Sequence, residues 1–316
     1  MTCHNCRVEC RHFGRHRNGL QRFQCGQCGK TFTEPHERPL EGMYTDLGRA
    51  VQALQMLVEG CSIRSVERLT GIHRDTIMRL LVLAGERSER LFADKVCNVV
   101  VRDVQADEIW GFIRKKEAHK RPAEAHDETI GDAYCFVAIE RHSKLILNFA
   151  LGRRDQATTD VFVEGLRQAT AARPFQITTD GFGPYRSAIT TTLHDRVDFA
   201  QLIKAYRAGT EGAARYSPPE VASVEVVPVY GRPDPDRICT SHVERQNLTM
   251  RMQIRRLTRL TNAFSKKWEN LRAALCLHFA WYNFCRVHRT LRVTPAMEAG
   301  IADHVWDVSE LISAGV

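Results

Sequence analysis

The stretch that most constrains the fold is Ile177-Thr-Thr-Asp-Gly-Phe-Gly-Pro-Tyr185. Phe175, Ile177 and Thr179 suit a short buried strand, Gly181 and Gly183 break it, and Pro184 can take the first position of a helix. Asp180 therefore stands where a strand gives way to a loop, a place suited to holding a metal or a substrate. Around it, residues 99–112, 133–139 and 144–151 read as strands and 158–172 as an amphipathic helix. Residues 184–193 read as a second helix and 197–203 as a further strand. Strand, strand, strand, helix, strand, helix, strand is the order of a layered α/β domain.

Two other segments carry carboxylates of the same kind. Val104-Gln-Ala-Asp-Glu-Ile-Trp-Gly-Phe112 is a strand bearing Asp107 and Glu108, and Ser241-His-Val-Glu-Arg-Gln-Asn247 opens a basic helix with Glu244. Strand alternation sends Asp107 and Glu108 to opposite faces, so either is a candidate for the first position. Two strand carboxylates and one helix carboxylate make an oxygen-rich cage suited to Mg²⁺ or Mn²⁺. Two such ions support in-line displacement at phosphorus, with water or a 3′-hydroxyl as nucleophile. No P-loop pattern calls for ATP.

The charge distribution points to a polyanion. The chain has 316 residues and a formal net charge of +8. Residues 1–38 carry a net +4 and residues 241–292 a net +9, which leaves about −5 for the remainder. Basic ends around a mildly acidic middle are the footprint of a protein that grips nucleic acid at more than one place. No apolar run approaches the length of a membrane span and no signal-peptide pattern opens the chain, so a cytoplasmic setting is expected.

Four of the eleven cysteines have metal-ligand spacing: Cys3-x-x-Cys6, eighteen residues, then Cys25-x-x-Cys28. Two such knuckles offer four thiolates to one structural Zn²⁺. Phe13 and Phe23 are the expected small core, too small to fold residues 1–38 without the metal. A polar linker follows at 34–39. Residues 47–58 then read as a helix, Ser62 caps a second, Gly71 turns the chain, and 73–83 form a third. That is helix-turn-helix spacing, with His73, Arg74, Asp75, Thr76 and Arg79 outward and able to reach DNA. The segment 114–132 is charged and reads as an exposed excursion. Residues 205–240 hold five prolines and read as irregular, with an edge strand possible at 224–230. Helix resumes over 242–260, where Glu244, Arg251, Arg255 and Arg259 share one face and form a row that could track a DNA backbone. A long helix at 265–287 carries Trp268, Leu271, Leu275, Phe279 and Tyr282 at core spacing, and 305–312 packs as a tail.

The assembled motifs resemble those of bacterial transposases of the insertion-sequence-one family. The carriers are the four-cysteine ribbon, Ser-Ile-Arg-Ser-Val-Glu-Arg, Asp-Glu-Ile-Trp-Gly, Thr-Asp-Gly-Phe-Gly-Pro-Tyr and Ser-His-Val-Glu-Arg-Gln-Asn-Leu. Further carriers are Arg-Leu-Thr-Arg-Leu-Thr-Asn-Ala-Phe-Ser-Lys-Lys-Trp and Tyr-Asn-Phe-Cys-Arg-Val-His-Arg-Thr-Leu-Arg-Val-Thr-Pro. The resemblance implies an RNase H-like catalytic core over 96–290, preceded by a zinc ribbon (1–38) and a helix-turn-helix domain (39–95) and followed by a C-terminal tail (291–316). It implies a catalytic triad of Asp107, Asp180 and Glu244, with double-stranded DNA, both element ends and target, as substrate. It further implies a homodimer or higher homo-oligomer on DNA, in a bacterial, nucleoid-associated setting. Two alternatives stay open at this point: a DNA-binding regulator without catalysis, and a nuclease relative that cuts without joining.

Overall fold

A computed structural model of the chain describes residues 1–16, 19–34, 40, 43–206 and 221–314. They fall into two compact units, Met1–Tyr44 and Thr45–Val316. The first unit therefore runs past residue 38; the linker expected at 34–39 lies, beyond Glu34, outside the described residues. It is an antiparallel meander of β1 (Cys10–Arg15), β2 (Gln21–Cys25) and β3 (Thr31–Thr33). Cys3, Cys10 and Cys25 are buried together, with Cys6, Phe23 and Phe32 against them. Phe13 is not part of this core: it is 41% exposed and lies under the Arg22 guanidinium at 5.3 Å. The register explains why. His12 stands opposite Phe23, so alternation turns Phe13 to the other face, and Phe32, opposite Phe23, takes the inner place.

The second unit opens with α1 (Leu47–Val58), α2 (Ile63–Thr70) and α3 (Arg74–Lys95). Asp46 caps α1 and Ser62 caps α2, each side chain accepting an amide three residues on. Gly71 turns the chain with φ +67°, a conformation that favours glycine. Ala53, Val66, Ile72 and Ile77 form the small core between the three helices.

The third helix does not stop near residue 83 as expected but continues to Lys95. Its second half lies along α7 (Trp268–Phe284), with Gly85 facing Ala273. A Cβ at Gly85 would come within 2.5 Å of the Ala273 Cα, so glycine here serves close helix packing and not helix termination. No boundary between compact units falls near residue 95, because α3 contributes to the core of everything after it. Replacing Gly85 by Leu is expected to cost roughly 1–3 kcal/mol or more through overpacking. Denaturant unfolding would show this as a lower midpoint; an unchanged midpoint would mean that α3 and α7 separate freely.

The sheet has six strands in the order β6-β5-β4-β7-β8-β9. They are β4 (Asp103–Ile113), β5 (Gly131–Glu140), β6 (Ile146–Gly152), β7 (Phe175–Thr179), β8 (Val197–Tyr206) and β9 (Val221–Tyr230). β4, β7 and β8 are parallel; β5, β6 and β9 are antiparallel to their neighbours. The parallel steps are bridged by α4 (Gln156–Ala169) and α5 (Pro184–Thr192). Of the irregular stretch expected at 205–240, residues 207–220 lie outside the described residues, and 221–230 form a full edge strand. Pro228 is tolerated there because it sits at an edge, beside a shift in register.

The two faces of the sheet are covered by different helices. Phe136 of β5 meets Phe162 of α4 and Tyr185 of α5. Phe149 of β6 meets Phe92 of α3 and Phe279 of α7 on the opposite face. α6 (Ser241–Gln253) packs on β4 and β5, and α8 (Pro295–Glu298) leads to α9 (Val308–Ala314), which packs on α1, α3 and α7. Trp268, expected in the core, is only half-buried; it lies under Arg153 at 5.2 Å. Among the described residues no helix is long and apolar enough to cross a membrane.

Candidate functional site

β4 divides its polar side chains between the two faces, and this division builds the site. Asp103, Gln105 and Asp107 share one face. Asp103, fully buried, pairs with Arg141 at 3.0 Å. Gln105 Oε1 accepts the amides of His242 (2.9 Å) and Val243 (3.2 Å), two donors that the first turn of α6 leaves without helical partners. Gln105 thereby fixes the start of α6 against β4. Asp107 then accepts from Asn247 Nδ2 at 2.8 Å, one turn beyond Glu244.

Glu108 leaves β4 toward the other face, where Arg154 Nε meets it at 3.1 Å. Asp180 follows the last residue of β7, and Ala106 pairs with Thr179, so Asp180 leaves the end of β7 beside Asp107 in the middle of the longer parallel strand β4. The backbone at Asp180 is held by Gln201 of β8, whose Nε2 donates to the carbonyls of Asp180 (2.9 Å) and Phe182 (3.2 Å). Arg154 also reaches Asp180 at 3.6 Å and stacks over Phe182 at 4.0 Å.

Asp107, Glu108 and Asp180 each bring an oxygen within 4.8 Å of the others. Alternation was expected to exclude either Asp107 or Glu108. Both join the cluster although they lie in the middle of β4, which runs on to Ile113: Asp107 turns back to accept the Glu108 amide (2.8 Å), and an oxygen of each comes within reach of Asp180. Burial, then the charges of Asp180 and Glu108, push Asp107 up to about 7. Burial and Asp180 push Glu108 up to about 7 as well, and burial raises Asp180. The hydroxyl of the fully buried Tyr185 faces Glu108 and offsets part of this rise. Three carboxylates crowded this closely fit a divalent cation.

Glu244, the expected third carboxylate, does not join this cluster. It is exposed, paired with Lys204 of β8, and accepts from Thr240 Oγ1 at 2.6 Å. Its charge adds to the upward pressure on Asp107. Sequence reasoning missed Gln105, Arg154 and Gln201. Asn247 and Tyr185 lay inside motifs already singled out. Arg154 and Gln201 had no local signal.

The arginine row does not form as expected. α6 ends at Gln253, Ile254 is extended, and a single 3-10 turn spans Arg255–Leu257. Arg251 is half-buried and donates to the carbonyls of Leu257 (2.9 Å) and Trp110 (3.3 Å), so it holds this turn in place. Burial, and then the charge of Arg259, lower it to about 10. Arg255 and Arg259 remain exposed. At the start of α3, His73, Arg74, Asp75 and Arg79 are exposed and Thr76 is half-buried. In the first unit, the sulfurs of Cys3, Cys6, Cys25 and Cys28 lie within 4.8 Å of one another. The amides of Cys6 and Cys28 face the sulfurs of Cys3 and Cys25 at 3.5 Å, and the Cys28 amide is the main cause that lowers Cys25 to about 6. Four converging sulfurs fit one tetrahedral ion.

Residues 130–208 match a family model for transposases of the insertion-sequence-240 type, described as a DDE domain. The match runs from β5 through β8 and contains Asp180; Asp107 and Glu244 fall outside it. None of the curated proteins compared matches the chain. Among solved structures the chain is similar to the piggyBac transposase in a synaptic complex with hairpin DNA, at 11% identity and a TM-score of 0.39 over 89% of this chain and 72% of that one. It is also similar to the structure of a pre-cleavage Mos1 transpososome, at 13% identity and a TM-score of 0.21 over 54% of this chain and 63% of that one. Both TM-scores are too low for either likeness to fix the fold.

Proposed function

We propose that the chain is a DDE-type DNA transposase, which binds the ends of an insertion element and carries out metal-dependent phosphodiester cleavage and strand transfer. The observation that carries this reading is the carboxylate cluster where β7 ends beside the middle of β4, set in a mixed sheet of which residues 130–208 match a DDE domain. Asp107 and Asp180, with Glu244 from α6, are the residues that would hold the divalent ions. When bound, those ions would activate a water or a 3′-hydroxyl and stabilise the leaving oxygen. The chain's own part is placement. Gln105 ties α6 to β4, Asn247 orients Asp107, Gln201 holds the Asp180 loop, and Arg154 offsets the charge of Glu108 and Asp180.

The finer assignment to the insertion-sequence-one group rests on motif resemblance, whereas the family match is to the insertion-sequence-240 type. The DDE-type class is common to both. Cys3, Cys6, Cys25 and Cys28 are the proposed ligands of one structural zinc. α2 and α3 are the proposed helix-turn-helix, with Arg74 and Arg79 toward DNA and His73 and Thr76 beside them. Arg255 and Arg259 are the proposed backbone contacts.

The test is to incubate the full chain with labelled duplexes carrying the DNA that flanks its gene, with Mg²⁺ and with EDTA. Nicks at defined ends and joined products are expected with Mg²⁺ alone. Binding without any metal-dependent cleavage would leave a DNA-binding regulator instead. A companion measurement addresses α3. Arg74→Ala is expected to weaken binding to the element ends by roughly 1–3 kcal/mol while hardly changing random DNA, the mark of a base-edge contact. A uniform loss across sequences would make Arg74 a phosphate contact.

A further inference from the structure

A cleft of about 940 Å³ lies between the starts of α2 and α3 and the segment from Gln253 to His278, away from the carboxylate cluster. Its lining is unusual in charge. Arg64, Arg74, Arg255, Arg256 and Lys266 face it, against the single acid Asp75. Arg256 is half-buried, yet among the described residues it has no carboxylate partner; its donors go to Ser265 Oγ (3.0 Å) and Met78 Sδ (3.2 Å). A half-buried guanidinium beside other cations and without a carboxylate favours an anion. The floor is apolar, with Leu57, Leu81 and Leu277 among its residues.

His278 also lines this cleft, and it is 1% exposed with neither ring nitrogen hydrogen-bonded. Buried polar groups of folded proteins nearly always have a partner. Burial keeps this imidazole neutral, with its pKa lowered to about 3, so it presents one donor and one acceptor. A phosphate only accepts. The edge of a nucleobase does both.

We propose that this cleft takes an unstacked nucleotide of a DNA single strand, with its phosphate at the Arg256 and Lys266 side and its base against the apolar floor and His278. The proposal rests on the reading of the chain as a DNA-acting protein and adds a second place where DNA is held. A cationic wall beside an apolar one is the pairing that single-stranded nucleic acid requires, and the volume is within the range of small-ligand pockets.

The experiment measures anisotropy of a labelled oligothymidine and of a labelled duplex of equal length, bound to the full chain in EDTA at several salt concentrations. Arg256→Gln with Lys266→Gln should weaken oligothymidine binding about tenfold and flatten its log-affinity against log-salt slope by about 0.7, the contribution of the one single-strand phosphate that the two side chains share. Duplex binding should fall less. His278→Phe, which keeps the bulk of the ring, should change the order of preference among oligothymidine, oligoadenosine and oligocytidine with no change in salt slope. An equal loss for duplex and single strand, or no loss, overturns the proposal; an unchanged order of preference overturns the base contact. If the double variant fails to fold, Lys266→Gln alone, at an exposed position, decides the phosphate contact. Failure of the transposase reading would appear separately, as absent metal-dependent cleavage with oligothymidine binding intact.

Discussion

Replacing Asp180 by Asn is expected to abolish end cleavage and strand transfer while leaving DNA binding in place. The loss should be on the order of a thousandfold or more, because a bound metal supplies several kcal/mol of charge stabilisation and each 1.36 kcal/mol is about tenfold in rate. Asp107→Asn and Glu244→Gln should behave alike. Glu108→Gln should lose less, since Glu108 reaches the cluster from the opposite face and is held by Arg154. The same variants carry a second signature. Burial and neighbouring charge raise Asp107 from its ordinary 3.8 to about 7. The folded state therefore holds more protons than the unfolded state between those values, and its metal-free stability falls as pH rises through that window. Asp180→Asn removes one of the charges responsible, though not the burial that is the larger cause, so in EDTA above pH 7 it should be more stable than the parent chain. Thermal unfolding in EDTA at pH 5 and pH 8 reads this directly. A cleaving Asp180→Asn protein would remove the carboxylate cluster from the chemistry. A variant with parental stability at pH 8 would mean that the carboxylates do not repel one another.

Chelation of zinc is expected to unfold Met1–Tyr44 and leave Thr45–Val316 folded. The buried core of the first unit consists of Cys3, Cys10 and Cys25, with only Cys6, Phe23 and Phe32 packed against it. So little apolar surface cannot offset the entropy of ordering the segment. A structural zinc contributes about 10–16 kcal/mol in comparable small domains at neutral pH, enough to decide between folded and unfolded. Metal analysis of the full chain should find one equivalent, and the Cys25→Ala, Cys28→Ala variant should have lost it. Limited proteolysis after chelation should cut within the first unit and spare the second. Equal zinc in parent and variant, or an N-terminal unit that resists proteolysis without metal, would sink the assignment.

What the sequence by itself determined about this protein is what neighbouring residues decide. β7 runs from Phe175 to Thr179 as read, because a buried strand, a glycine break and a helix-starting proline act within a dozen residues. The Ser62 cap and the Gly71 turn are equally local, as is the four-cysteine spacing. Asp180 was legible for the same reason, since it follows a strand whose end its own flanking residues define, and Asp107 was legible as a carboxylate carried within a strand motif. Tertiary structure decided the rest. The continuation of α3 through Gly85 depends on Ala273, and the early end of α6 depends on Arg251 gripping the Leu257 and Trp110 carbonyls. Glu108 joins Asp180 only because β7 ends beside the middle of β4, and Arg154 bridges them from a third segment. Gln105 matters only once the α6 amides, more than a hundred residues away, arrive beside it. Periodicity and capping report which way a side chain leaves its own element. They carry no record of which distant element it will meet, and at this site that meeting sets the burial, the partners and the charge.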